Sequence, residues 1–157
     1  GISTRVFYAP TAFLDKCVLP ANTGELGKAN TIEDGNFTLL TDKKWKGIDV
    51  QIDEGELKTT LVGNAGNKKA KIEFEFKIPR FNAEPLDFIS RYKNVPMTFV
   101  VPDAQGTLWV IGTKINGAFM ESAEATTGKK AEDDSGITLK LICNSKLYKY
   151  AGVIAEA

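Results

Sequence analysis

One eight-residue stretch constrains this chain more than any other. Lys71-Ile72-Glu73-Phe74-Glu75-Phe76-Lys77-Ile78 alternates without a break between charged and large apolar residues. Neighbouring side chains of a strand point to opposite faces, so the segment has one oily face and one wet face. A helix would scatter the same residues around its whole circumference. Burying Ile72, Phe74, Phe76 and Ile78 stabilises by roughly 1.5–3 kcal/mol each, an upper bound given a compact unfolded state. A whole domain is stable by only about 5–15 kcal/mol, so this strand is expected to be central.

Pro79 ends the strand and the period changes. Asn82 can cap a helix, and Pro85 falls within its first turn, where a missing N–H is tolerated. Leu86, Ile89 and Tyr92 recur at i, i+3 and i+6 with Phe88 beside them, while Asp87 and Arg91 sit four apart on the outer face. Asn94 and Pro96 stop the helix, which is predicted over about residues 82–94. Met97-Thr98-Phe99-Val100-Val101 and Thr107-Leu108-Trp109-Val110-Ile111 then flank Pro102-Asp103-Ala104-Gln105-Gly106, a hairpin signal.

Shorter apolar runs fill the rest. Strands are expected at residues 5–9, at 13–14 with 17–19, at 37–40, and at 48–52, where Ile48, Val50 and Ile52 alternate with Asp49 and Gln51. Leu57-Lys58-Thr59-Thr60-Leu61-Val62 pairs naturally with the last of these across Asp53-Glu54-Gly55-Glu56, and residues 63–67 form a turn into the central strand. Residues 20–36, polar and rich in Gly and Asn, read as an exposed loop. Further strands are expected at 118–121, 137–143 and 147–150, with a strongly polar loop at 126–136. Many short strands with frequent turns predict a mainly β fold: a β-sandwich or half-barrel of mostly antiparallel strands, with one flanking helix. No repeat or linker interrupts the 157 residues, so a single domain is expected.

Composition restricts function. Twenty basic residues against twenty acidic ones give no net charge, which argues against specific nucleic-acid binding or an anionic membrane surface. No apolar run approaches a membrane span, and no signal-peptide layout is visible. The chain opens on Gly1 instead of Met, which leaves room for a removed upstream segment. Cys17 and Cys143 are better read as small free core residues than as a pair, though pairing stays open.

Histidine is absent. That removes the commonest general base, the commonest metal ligand and every Ser-His-Asp or Cys-His arrangement. Asp53-Glu54-Gly55-Glu56 sits at an expected hairpin tip, where acids are usually solvated. Glu132-Asp133-Asp134-Ser135-Gly136 lacks the alternating oxygen ligands and distal Glu of a calcium loop. Gly63-Asn64-Ala65-Gly66-Asn67-Lys68-Lys69 precedes a strand and lacks the spacing of a phosphate loop. Lys43-Lys44-Trp45-Lys46 mixes basic and aromatic residues, as a single-strand binding surface does. A Trp covering a sheet edge among solvated lysines is the simpler reading, and Trp109 reads as core. The expectation is no enzyme, no cofactor and no metal.

From residue 94 to 152 a longer order emerges. Asn94-Val95-Pro96-Met97-Thr98-Phe99-Val100-Val101-Pro102-Asp103-Ala104-Gln105-Gly106-Thr107-Leu108-Trp109-Val110-Ile111-Gly112 gives a strand, an Asp-x-x-Gly turn and a strand ending in Gly. Thr127-Gly128-Lys129-Lys130, the acidic step Asp133-Asp134 and Gly136-Ile137-Thr138-Leu139-Lys140-Leu141 follow. This order resembles structural proteins of tailed bacteriophages and prophages, in particular tail-tube-like proteins. The resemblance implies a sandwich or half-barrel with one flanking helix, assembling into rings, usually hexameric, that stack into a tube. It also implies other tail proteins as partners, a place in the virion tail and synthesis in the bacterial cytoplasm. The loop at 20–36 would then suit an inter-ring arm.

Such a ring-former uses its exposed strand edges, adding them to the next subunit's sheet in a head-to-tail contact that closes. The candidate subunit contacts are Trp45 and the polar-loop residues Lys129, Lys130, Asp133 and Asp134, although that loop reads equally as a solvated turn. A second expectation, from a different class, is a secreted small-ligand-binding β-barrel or sandwich whose pocket Phe7, Phe74, Phe76 and Trp109 would line.

Overall fold

The alternating stretch lies within one strand, Lys69–Ile78, whose Ile72, Phe74 and Phe76 are fully buried. The computed structural model describes residues 5–21, 25–50, 56–79, 83–126 and 136–154. Its strands are β1 (Arg5–Pro10), β2 (Leu14–Cys17), β3 (Thr31–Ile32), β4 (Phe37–Leu39), β5 (Lys46–Asp49) and β6 (Glu56–Val62). The central strand is β7 (Lys69–Ile78), and after it come α1 (Ala83–Tyr92), β8 (Met97–Pro102) and β9 (Leu108–Ile111). The chain continues through β10 (Phe119–Thr126), β11 (Gly136–Cys143) and β12 (Tyr148–Tyr150).

The described residues form a mainly β sandwich with one α-helix. One sheet has six strands in the order β3-β12-β9-β8-β1-β5, and the other has four in the order β10-β11-β7-β6. Pairing is antiparallel except between β12 and β3. Phe74, Phe76, Leu139 and Leu141 of the smaller sheet pack with Val6, Phe99, Val101 and Ile111 of the larger. Phe99 approaches Phe74 at 6.1 Å between ring centres, so the aromatic residues interlock across the interior.

A second core lies on the far face of the six-stranded sheet, under a small β2-β4 sheet. There Trp45 stacks on Phe37 with centroids 5.4 Å apart, and Tyr150 meets Phe37 edge-on at 5.3 Å. Strand β8 is therefore buried on both faces, with Phe99 and Val101 in one core and Val100 in the other. This is why its sequence is a continuous apolar run rather than an alternation. The two main sheets are stitched where Met97 and Ala118 exchange backbone hydrogen bonds of 2.8 Å. Gly112 permits that approach: its φ is +96°, and a Cβ there would sit 2.6 Å from the Met97 carbonyl oxygen.

Helix α1 closes one flank of the sandwich. Tyr8 of β1 receives Phe88 edge-on at 4.8 Å and Tyr92 at 5.9 Å. Its inner stripe is Pro85, Phe88, Ile89 and Tyr92, and Leu86, expected on the inner face, is 40% exposed. The docking ring Tyr8 decides which side turns inward. Asp87 and Arg91 form the expected outer pair at 2.9 Å. Asn82, the expected cap, lies outside the described residues.

Several expectations are corrected. Strand β6 does not pair with β5. β5 lies beside β1, with Val6 opposite Ile48, and β6 lies beside β7, with Leu57 opposite Phe74. The chain thus changes sheets between these two strands, and adjacency in sequence carries no information about such a crossing. The stretch 20–36 is not wholly an exposed loop, because Ile32 in β3 is fully buried against the second core. Trp109 is only half-buried, since it projects from the inner face of the larger sheet near that sheet's β12-β3 end. Trp45 does not cover a sheet edge among its lysines; it is 4% exposed.

Candidate functional site

Every sheet has two ends, and strand length separates them here. The six-stranded sheet ends in β3, of two residues, and β5, of four. Short end strands are poor templates for pairing. At β5 the Arg5 side chain also lies across Gly47 while its guanidinium bonds Asp49 at 2.6 Å. The four-stranded sheet ends differently, in β6 of seven residues and β10 of eight.

These two long end strands are exposed. β6 leaves Leu61 69% and Val62 41% accessible, both large aliphatic side chains. Leu61 lies opposite Ala70, on the core side of its sheet but beyond the end of the core. On β10, Phe119 is 43% exposed, and Ser122, Ala123, Glu124 and Ala125 are all exposed. Ala123 and Ala125 lie opposite Leu139 and Ile137, so they share the core-facing side yet are not covered. A bulge between Met120 and Ser122 shifts the register at Glu121.

Charge differs between the two ends. β10 carries Glu121 and Glu124 and no basic residue. β6 carries Lys58 and Glu56, the turn after it adds Lys68, and Lys69 opens β7 opposite Val62. Between them, the wet face of β7 holds Lys71 and Glu73 at 3.5 Å.

Of the candidate contacts read from the sequence, Trp45 is buried in the second core, its ring taken up by Phe37. Lys129, Lys130, Asp133 and Asp134 lie outside the described residues; the strands that carry their loop, β10 and β11, pair up to Thr126 and Gly136. Adjacency in sequence does not mark β6 as an end strand, because it suggests β5, which belongs to the other sheet, as a second partner. The period-2 pattern of β10 is also weak, because a bulge follows Met120 and the later core-side positions are Ala123 and Ala125.

Other features are open clefts or satisfied polar groups. A cleft of about 570 Å³ separates α1 from the β1–β5 edge and is lined by Tyr8, Ile48, Phe88 and Tyr92. Burial, with Tyr92 and Glu84 nearby, pushes the Tyr8 phenol up and keeps it neutral. Of the aromatics expected around a ligand pocket, Phe74 and Phe76 are core, while Phe7 and Trp109 line separate open clefts. Cys17 and Cys143 are both free thiols, and burial pushes both up, away from the reactive thiolate. Among the described residues no three His, Cys, Asp or Glu side chains converge as metal ligands. No described helix is long and apolar enough to cross a membrane. Comparison with protein-family models, curated proteins and solved structures finds no match.

Proposed function

We propose that the chain is a structural subunit that joins copies of itself through the edges of its four-stranded sheet, β6 of one copy beside β10 of the next. The observation that carries this reading is the pair of long end strands, each with no second partner strand among the described residues and each with exposed apolar side chains. Unpaired N–H and C=O rows on such strands are templates for another chain, and a fold that did not use them would be expected to blunt them. A β6-to-β10 contact is head-to-tail, so it closes into a ring when the rotation between copies allows. The charges favour that order, since the β10 glutamates would meet the lysines around β6.

Within this class, the resemblance of residues 94–152 supports a phage or prophage tail-tube-like subunit, working in the virion tail with other tail proteins. The chain's zero net charge suits a conduit that must not hold DNA.

Electron microscopy and light scattering of the concentrated protein test the proposal. Rings or tubes are expected. Ala123→Lys places a charge on the exposed core side of β10, where the monomer tolerates it, and should abolish assembly with less than about 0.5 kcal/mol change in stability. A protein that stays monomeric at every concentration would overturn the reading.

A further inference from the structure

At the β9-β12-β3 end of the six-stranded sheet, the face that elsewhere carries Phe99 and Ile111 into the main core is lined differently. Trp109, Lys149 and Thr31 stand directly opposite one another on these adjacent strands, forming one row across the sheet. Lys149 is exposed, and Trp109 and Thr31 are half-buried. Leu26, Gly27, Lys28, Asn30 and Glu33 complete the wall of an open cleft of about 500 Å³ over this row.

The indole in this cleft is held in position. Trp109 Nε1 donates to Asp103 Oδ2 at 3.0 Å, and the other Asp103 oxygen accepts from the Gln105 and Thr107 N–H groups at 2.8 and 2.9 Å. The ring therefore need not be immobilised on binding, which removes an entropic cost. The wall segment is pinned too: Asn30 donates to the Leu147 carbonyl at 2.6 Å, Lys146 to that of Ala29 at 3.0 Å, and Thr31 to that of Gly27 at 3.0 Å. These contacts hold the cleft's two sides in register.

We infer that this cleft is a saccharide-binding site, in which a pyranose ring lies on Trp109 and its hydroxyls meet Lys28, Lys149 and Glu33. The face of an indole is electron-rich, and the polarised C–H bonds on one side of a pyranose complement it. Charges of both signs at the rim match a neutral polyol, whose hydroxyl groups both donate and accept. A purely apolar ligand would desolvate the rim charges without partnering them. A single-stranded nucleic acid would find one platform and two lysines beside a glutamate, on a chain with no net positive charge. This inference stands apart from self-assembly, since none of its residues lies on β6 or β10.

Trp109 fluorescence and amide chemical shifts, followed during titration with glucose, galactose, mannose and N-acetylglucosamine, test the inference. Trp45, stacked and buried, serves as the internal reference. At least one sugar should bind saturably in the millimolar range, with shifts confined to residues 26–33, 103–109 and 149. Lys149→Ala and Glu33→Gln, both at exposed positions, should each weaken it about tenfold, and Trp109→Ala should abolish it. Silence across the panel, or saturable binding of oligothymidylate in place of any sugar, would overturn the assignment.

Discussion

Asp103 shows how one side chain can organise a turn. Desolvation alone would raise its pKa, but hydrogen bonds from Trp109, Thr107 and Gln105 outweigh it and hold the carboxyl below its ordinary value. A carboxyl depressed in the folded state adds stability above the unfolded pKa of about 3.9, and that contribution is lost as pH falls through the folded value. Asp103→Asn should therefore lower stability at neutral pH by about 1 kcal/mol, modest because solvent screens the site. The gap between variant and parent should close on acidification below about pH 4, read as converging melting temperatures. A gap that stays constant or widens would mean that the charge is not what holds the turn.

At the scale of elements, the helix and the end strands differ in what binds them. Helix α1 is attached through one aromatic cluster, so its stability rests on packing rather than on the exposed Asp87–Arg91 pair. Phe88→Ala should cost about 3 kcal/mol by chemical denaturation, whereas Leu86→Ser should change stability by no more than about 0.5 kcal/mol. Equal losses would return Leu86 to the inner face. Strands β6 and β10, by contrast, each have one neighbouring strand among the described residues.

Across the whole molecule, two cores share one sheet. The larger core joins the two sheets and the helix, and the smaller one fastens the β2-β4 layer and the β3–β12 end. This arrangement leaves opposite ends of the four-stranded sheet carrying unlike charge. If those ends meet in the assembled form, added salt should weaken association, because contacts between exposed charges are screened within about 8–10 Å at moderate ionic strength. Sedimentation velocity across a salt series reads this directly. Association strengthened by salt at every concentration would instead assign the contact to the apolar side chains Leu61, Val62 and Phe119 alone.

The residues themselves determined most of the local structure. Strict alternation gave β7 and its buried face, a run of tight-turn residues gave the β8–β9 hairpin, and the change of period after Pro79 gave the helix. Those signals are local because side-chain direction repeats every two or 3.6 residues. Tertiary structure alone decided which sheet each short strand joined, that Trp45 lies inside and Trp109 at a rim, and that β6 and β10 are the end strands of the four-stranded sheet. Each of these depends on partners distant in sequence, as when β1 claims β5, with Arg5 opposite Asp49, and no period along the chain records such a choice.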